Sequence, residues 1–113
     1  MHEMTLAESV LQIVEDAAQR GGLRRVRAVR LEIGQLSSVE PEAMRFCFDA
    51  VARDSVADGA RLDIVTTAGA AWCNQCLEPV ALAELGAACP HCGGYRLRLT
   101  EGTGMRVMEL EAE

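Results

Sequence analysis

Apolar residues recur at spacings of three and four over positions 3–20, with Leu6, Val10, Ile13 and Ala17 joined by Ala7, Leu11, Val14 and Ala18. That period predicts an amphipathic α-helix, whose other face carries Glu8, Gln12, Glu15, Asp16 and Gln19. Gly21-Gly22 supplies the stop expected just past a helix end. The period then becomes two. Over 25–33, Val29, Leu31 and Ile33 share one face while Ala28, Arg30 and Glu32 share the other, which predicts a strand ending at Gly34. Serines, early acids and Pro41 in Ser37-Ser38-Val39-Glu40-Pro41-Glu42 suit a helix start, so a second helix is expected from there to about residue 54. Its inner face reads Met44, Cys47, Phe48 and Val51, which places Cys47 in the core as a small hydrophobe.

Leu62 and Ile64 alternate with Arg61, Asp63 and Val65 in a second strand that Gly69 closes. Residues 95–100 offer a further strand, Gly102 and Gly104 a turn, and residues 105–111 a last strand. The architecture expected is α+β: two helices packed on a three-stranded sheet made from the early, middle and terminal strands. That domain takes residues 1–67 with 103–113, and residues 68–102 form a small inserted lobe.

Composition narrows the class. At 113 residues, half of them hydrophobic and a quarter charged, the chain suits one folded domain with a small appendage. It contains no apolar run of ~18 residues to cross a bilayer and no signal-peptide pattern, so a cytoplasmic protein with no membrane association is expected. Net charge is −6 and all eleven basic residues are arginines. Such a chain contacts nucleic acid only through a segregated basic patch, because neutralising phosphates requires clustered cations. Arg20, Arg24, Arg25, Arg27 and Arg30 are close in sequence, but they read as the solvated end of a helix and the rim of a strand. No nucleic-acid partner is expected.

The chemistry resides first in the cysteines. Cys73-Asn-Gln-Cys76 and Cys89-Pro-His-Cys92 are two Cys-x-x-Cys turns with twelve residues between them. Each turn aims two thiolates at one point, and two such turns make a closed tetrahedral sulfur site suited to zinc. A redox motif would need only one Cys-x-x-Cys, and a reducing cytosol leaves all four thiols available for metal. Residues 68–102 are too few to bury an adequate apolar core, so a zinc-ribbon lobe held by structural zinc is expected. Four thiolates fill zinc's coordination and leave no position for water, which argues against hydrolytic zinc chemistry. His91, inside the second turn, is better placed for an outer hydrogen bond than for ligation.

The second candidate site is the start of the chain. Met1, His2 and Glu3 bring an α-amine, backbone amides, an imidazole and a carboxylate into one short segment. Amine, imidazole and deprotonated amides arranged in a plane favour nickel(II) or copper(II) over zinc or magnesium. The same residues also fit a plain helix start, with Glu3 and Glu8 complementing the helix dipole. The residues alone leave both readings open.

The start Met1-His2-Glu3-Met4, the strand ending Leu31-Glu32-Ile33-Gly34, the stretch Phe46-Cys47-Phe48-Asp49 and the paired cysteine turns, in this order, resemble the HypA/HybF nickel chaperones of hydrogenase maturation. The resemblance covers the whole chain. It implies nickel bound by Met1, His2 and Glu3, with His2 the indispensable ligand, and structural zinc bound by Cys73, Cys76, Cys89 and Cys92. It implies a carrier, not an enzyme. Nickel(II) would be cargo for the NiFe-hydrogenase large subunit precursor, delivered with a nickel-binding GTPase and, in some organisms, also supplied to urease maturation proteins. Some relatives carry further histidines beside the zinc cysteines, whereas this chain has only His91 there. An alternative from another class is a zinc-ribbon module for protein interaction or nucleic-acid-associated work, without nickel function, which acidic charge and scarce aromatics oppose. A thiol oxidoreductase would instead require thiols that cycle freely.

Overall fold

The computed structural model describes residues 2–113, residue 2 by its backbone alone. The elements are α1 (His2–Gly21), β1 (Val26–Gly34), a 3-10 turn (Gln35–Ser37), α2 (Pro41–Val51), β2 (Arg61–Thr67), β3 (Ala70–Cys73), β4 (Glu78–Ala81), β5 (Leu97–Glu101) and β6 (Met105–Ala112). The fold is α+β. One three-stranded sheet has the order β2-β1-β6, made from the early, middle and terminal strands, and a second has the order β4-β3-β5. The chain groups into two compact units: Met1–Leu31 with Val39–Val65 and Arg106–Glu113, and Glu32–Ser38 with Thr66–Met105.

In the first unit α1 and α2 pack against each other. The stripe that α1 buries is Ala7, Val10, Val14 and Ala18, while Ile13 is half exposed. The periodicity admitted Ile13 to the inner face, but the small residues at 7, 14 and 18 mark where the stripe is centred. From α2 come Met44, Cys47 and Phe48, from β1 Val26, Ala28, Val29 and Leu31, and from β2 Leu62. Cys47 is buried among these residues of the core. The start of α2 is set by Pro41 in its first turn and by Glu40, whose carboxylate accepts from Ala43 N at 3.0 Å. Such a cap satisfies a backbone N–H the helix cannot. Ser37 and Ser38 stand before it, and Ser38 takes a left-handed φ of 63°.

Helix α2 stops at Val51, earlier than the expected 54, because Ser55 draws the chain into a turn: its hydroxyl donates to Ala52 O at 2.6 Å and accepts from Ala57 N at 3.1 Å. The other face of the β2-β1-β6 sheet carries ion pairs, Arg30–Glu109 at 3.4 Å, Arg61–Asp63 at 2.8 Å and Arg61–Glu111 at 3.6 Å. The Arg61 guanidinium holds the Asp63 carboxyl below its usual range. Ala28 is buried at the floor of this charged layer, which is how a β1 residue opposite Val29 escapes water. Of the clustered arginines, Arg27 pairs with Glu113 and Arg25 donates to Asp58 O at 3.2 Å.

Three glycines knit the second unit. A Cβ on Gly34 would lie 2.2 Å from the carbonyl carbon and oxygen of Gly102, and one on Gly102 would lie 2.7 Å from Gly69 Cα. Gly34 N donates to Gly104 O at 2.8 Å and Leu36 N to Gly102 O at 2.7 Å, while Gly69 N donates to the Gln35 side chain at 3.0 Å. Only glycine permits backbones to approach so closely.

Candidate metal centre

The second sheet builds the site. β3 runs antiparallel to both neighbours, with Cys73 opposite Glu78 on β4 and Leu97 on β5. Cys73 therefore ends a central strand, and the first cysteine turn is the tip of the β3–β4 hairpin. In that turn Leu77 N donates to Cys73 O at 2.8 Å and Cys76 N to Cys73 Sγ at 3.3 Å. The second turn repeats the arrangement: Gly93 N donates to Cys89 O at 2.9 Å and His91 N to Cys89 Sγ at 3.4 Å. Asn74 N donates to Arg96 O at 2.9 Å, which ties the first turn to the segment leading into β5, and Cys89 N donates to Gly94 O at 2.8 Å, which closes the second turn.

All four sulfurs lie within 4.8 Å of one another. Cys73 and Cys92 are 3.8 Å apart and Cys76 and Cys89 3.9 Å. A zinc tetrahedron with bonds of about 2.3 Å puts its thiolates about 3.8 Å apart, which the Cys73–Cys92 and Cys76–Cys89 pairs match, so the residues fit the ion. Backbone N–H groups directed at sulfur favour the thiolate. The Cys76 amide accordingly brings the Cys73 thiol down to about 7, whereas the neighbouring Cys92 sulfur pushes the Cys76 thiol up. A dication at the centre takes the place of these protons, so its affinity rises with pH. When bound, zinc would supply crosslinking of the two turns and not an open coordination position.

Behind the sulfurs lies a small core of Leu36, Ala71, Cys73, Val80, Leu82 and Cys89, with Cys76, Ala87 and Leu97 packed against it. Three of the four cysteines thus serve as ligand candidates and as packing. His91 is turned outward, its Nδ1 2.7 Å from Glu78 Oε1 and its ring exposed. Sequence reasoning missed strands β3 and β4 and the part played by Leu36. The signal was present, since Ala71 and Cys73 before the turn and Val80 and Leu82 after it alternate with period two.

Of the second candidate group, Glu3 lies in the first turn of α1 and is half-buried. Met1 and the His2 side chain lie outside the described residues, so their arrangement with Glu3 rests on the sequence. Among the described residues no helix is long and apolar enough to cross a membrane.

Known proteins are similar to this chain along its whole length. Residues 1–112 match the family model described as "Hydrogenase/urease nickel incorporation, metallochaperone, hypA". Hydrogenase maturation factor HypA of Albidiferax ferrireducens is 64% identical over 113 residues, covering all of both chains. The factor of the same name from Dechloromonas aromatica is 58% identical, again covering both chains completely. Among solved structures, a HypA protein in solution aligns with a TM-score of 0.73 at 25% identity, covering 100% of this chain and 97% of that one. The Ni metallochaperone HypA from Helicobacter pylori aligns with a TM-score of 0.72 at 24% identity, covering 97% and 96%, and supports the fold. A four-cysteine cluster, an α+β fold with two small sheets and an end-to-end match place this chain in the HypA family of hydrogenase maturation factors, a metallochaperone family.

Proposed function

We propose that this protein binds nickel(II) through Met1, His2 and Glu3 and delivers it to the NiFe-hydrogenase large subunit precursor, acting with a nickel-binding GTPase. The protein carries its metal and catalyses nothing. The observation that supports this most is the match over residues 1–112 to a family described as nickel incorporation. In this reading residues 1–67 with 103–113 form the nickel-binding domain, residues 68–102 form the zinc lobe, and Cys73, Cys76, Cys89 and Cys92 hold structural zinc. Nickel must leave its site while zinc stays, and the two donor sets suit that division. Amine, amide and imidazole nitrogens select square-planar nickel, whereas four converging thiolates select tetrahedral zinc. Supply of the same nickel to urease maturation proteins belongs to the wider description of the family and is a proposal here.

The test is a nickel titration of the untagged chain beside one carrying a short N-terminal extension, which removes the free amine and buries His2 within the sequence. The extended chain is expected to lose at least tenfold in nickel affinity with its zinc retained. Equal affinities would rule out the N-terminal site.

A further inference from the structure

Strand β4 lies at the edge of its sheet, with β3 as its neighbour on one side and no strand on the other. In the β3–β4 ladder Ala71 faces Val80, Trp72 faces Pro79 and Ala70 faces Ala81. Just past the strand, Leu82 N donates to Gly69 O at 3.0 Å. A Cβ on Gly69 would lie 2.4 Å from Leu82 O, so the ladder is closed tightly on this side. Backbone groups of an antiparallel strand turn alternately to its two sides, so Val80 and Leu82 direct theirs at β3. Pro79 and Ala81 turn theirs to the open side. Pro79 has no N–H and blunts one end of the edge, as edge prolines do. Ala81 is left presenting both a donor and an acceptor.

An open hollow of about 500 Å³ begins at the same residue. Its lining includes Ala81, Leu82 and Ala83 at the end of β4, and Ala87, Ala88 and Pro90 from the segment entering the second cysteine turn. Four of these six are alanines, whose single methyl groups leave space that larger apolar residues take up in a closed core. Ala81 and Ala83 are exposed, and the whole hollow lies within one compact unit. An unpaired strand edge beside an apolar hollow is the geometry of strand addition. Main-chain bonds hold an extended segment, and the hollow takes one of its alternate side chains.

Charge selects the occupant further. Over residues 66–90 the only charged side chains are Glu78 and Glu84, so the segment received is apolar and free of acids. A second copy on this edge, paired about Ala81, would set Glu78 against Glu84 of the other chain, and like charges directly opposite disfavour such a pair. We infer that β4 receives an extended apolar segment of the large subunit precursor, added as a fourth strand beside Ala81 with one side chain in the hollow. The inference rests on the delivery reading for the identity of that partner. A precursor still lacking its metal has not closed the site around it, and an unclosed chain keeps apolar surface and strand edges unpaired.

The test titrates nickel-free precursor calorimetrically with the zinc-loaded full chain and follows amide exchange in the complex. Ala81→Pro removes the outward N–H without breaking a bond to β3, and Ala83→Leu fills the hollow. Each should weaken precursor binding by about tenfold or more, with zinc content and nickel affinity unchanged. Exchange over residues 79–83 should slow when the precursor is bound to the parent. Ala83→Leu keeps the test decisive if Ala81→Pro folds poorly. Parent-like binding by Ala83→Leu together with unchanged exchange over 79–83 would overturn strand addition and leave the carrier reading standing. So would loss of GTPase binding alone, or a dimer of the parent chain that Ala81→Pro dissolves, since the edge would then serve another occupant. A parent chain that neither binds the precursor nor passes nickel to it would overturn the carrier reading, and this inference with it.

Discussion

Gly34→Ala adds one methyl group where the backbones of Glu32–Ser38 and of the segment around Gly102 cross. The new Cβ would stand 2.2 Å from both the carbonyl carbon and the oxygen of Gly102, and 2.8 Å from its Cα. Ordinary carbon contacts need about 3.5 Å or more, so the chains must part by more than 1 Å. Overpacking of this kind costs typically about 1–3 kcal/mol. The separation also breaks Gly34 N to Gly104 O and Leu36 N to Gly102 O, bonds of 2.8 and 2.7 Å. Each contributes about 1 kcal/mol net. The sum, about 3–5 kcal/mol, is a large part of the roughly 6–17 kcal/mol expected for a domain of this length. At about 4 °C per kcal/mol for this size, the midpoint should fall by about 12–20 °C. Gly104→Ala is the internal control, since a Cβ there meets nothing within 4 Å. Thermal unfolding of the three zinc-loaded proteins, followed by circular dichroism, measures both effects. A Gly34→Ala variant within 2 °C of the parent, or one no worse than Gly104→Ala, would refute the reasoning.

Other outcomes follow from the same geometry. Cys89→Ser should lose the zinc and also open the small core that Cys89 shares with Leu36 and Leu82, so metal analysis should read below one zinc per chain and amide exchange should rise across residues 66–105. Zinc retention in competition with a chelator should weaken as pH falls. Bound thiolates must be unprotonated, and even the Cys73 thiol, brought down to about 7, takes up its proton below that pH. Glu40→Ala removes the carboxylate that caps α2 and should cost about 1 kcal/mol in urea unfolding, with Glu40→Asp recovering part of it. Phe48→Ala truncates one of the largest fully buried side chains and should cost about 3–5 kcal/mol, without altering zinc content.

Much of this molecule is written locally in the chain. α1 follows from a 3.6-residue stripe and a Gly-Gly stop, β1 and β2 from period-two runs, and β6 from the run that follows the Gly102 and Gly104 turn. The four ligand candidates follow from the doubled Cys-x-x-Cys spacing, because each turn brings its own two thiols together, while the β4-β3-β5 sheet brings the two turns to one point. What was harder to read depends on partners distant in sequence. Gly34, Gly69 and Gly102 look like three separate strand ends and turns, yet they meet at one crossing that no local pattern announces. Leu36 sits in a 3-10 turn directly after β1 and packs against Leu82 and Val80, some forty residues on. β3 and β4 are four residues each, so the period-two signal of Ala71 and Cys73 before the turn and Val80 and Leu82 after it is short, and the cysteine turn between them closes the hairpin. The end of α2 was misjudged by three residues because a side-chain hydroxyl, Ser55, competes with the helix for Ala52.

The central claim is that two metals occupy two chemically distinct sites, one retained and one carried. Elemental analysis of the untagged protein and of His2→Ala, each loaded with zinc and nickel and then desalted, tests it most directly. One zinc and one nickel per chain are predicted for the parent, and one zinc with nickel largely lost for His2→Ala. Nickel retained at full stoichiometry in His2→Ala, or nickel lost from the parent when the four cysteines alone are replaced, would contradict the account.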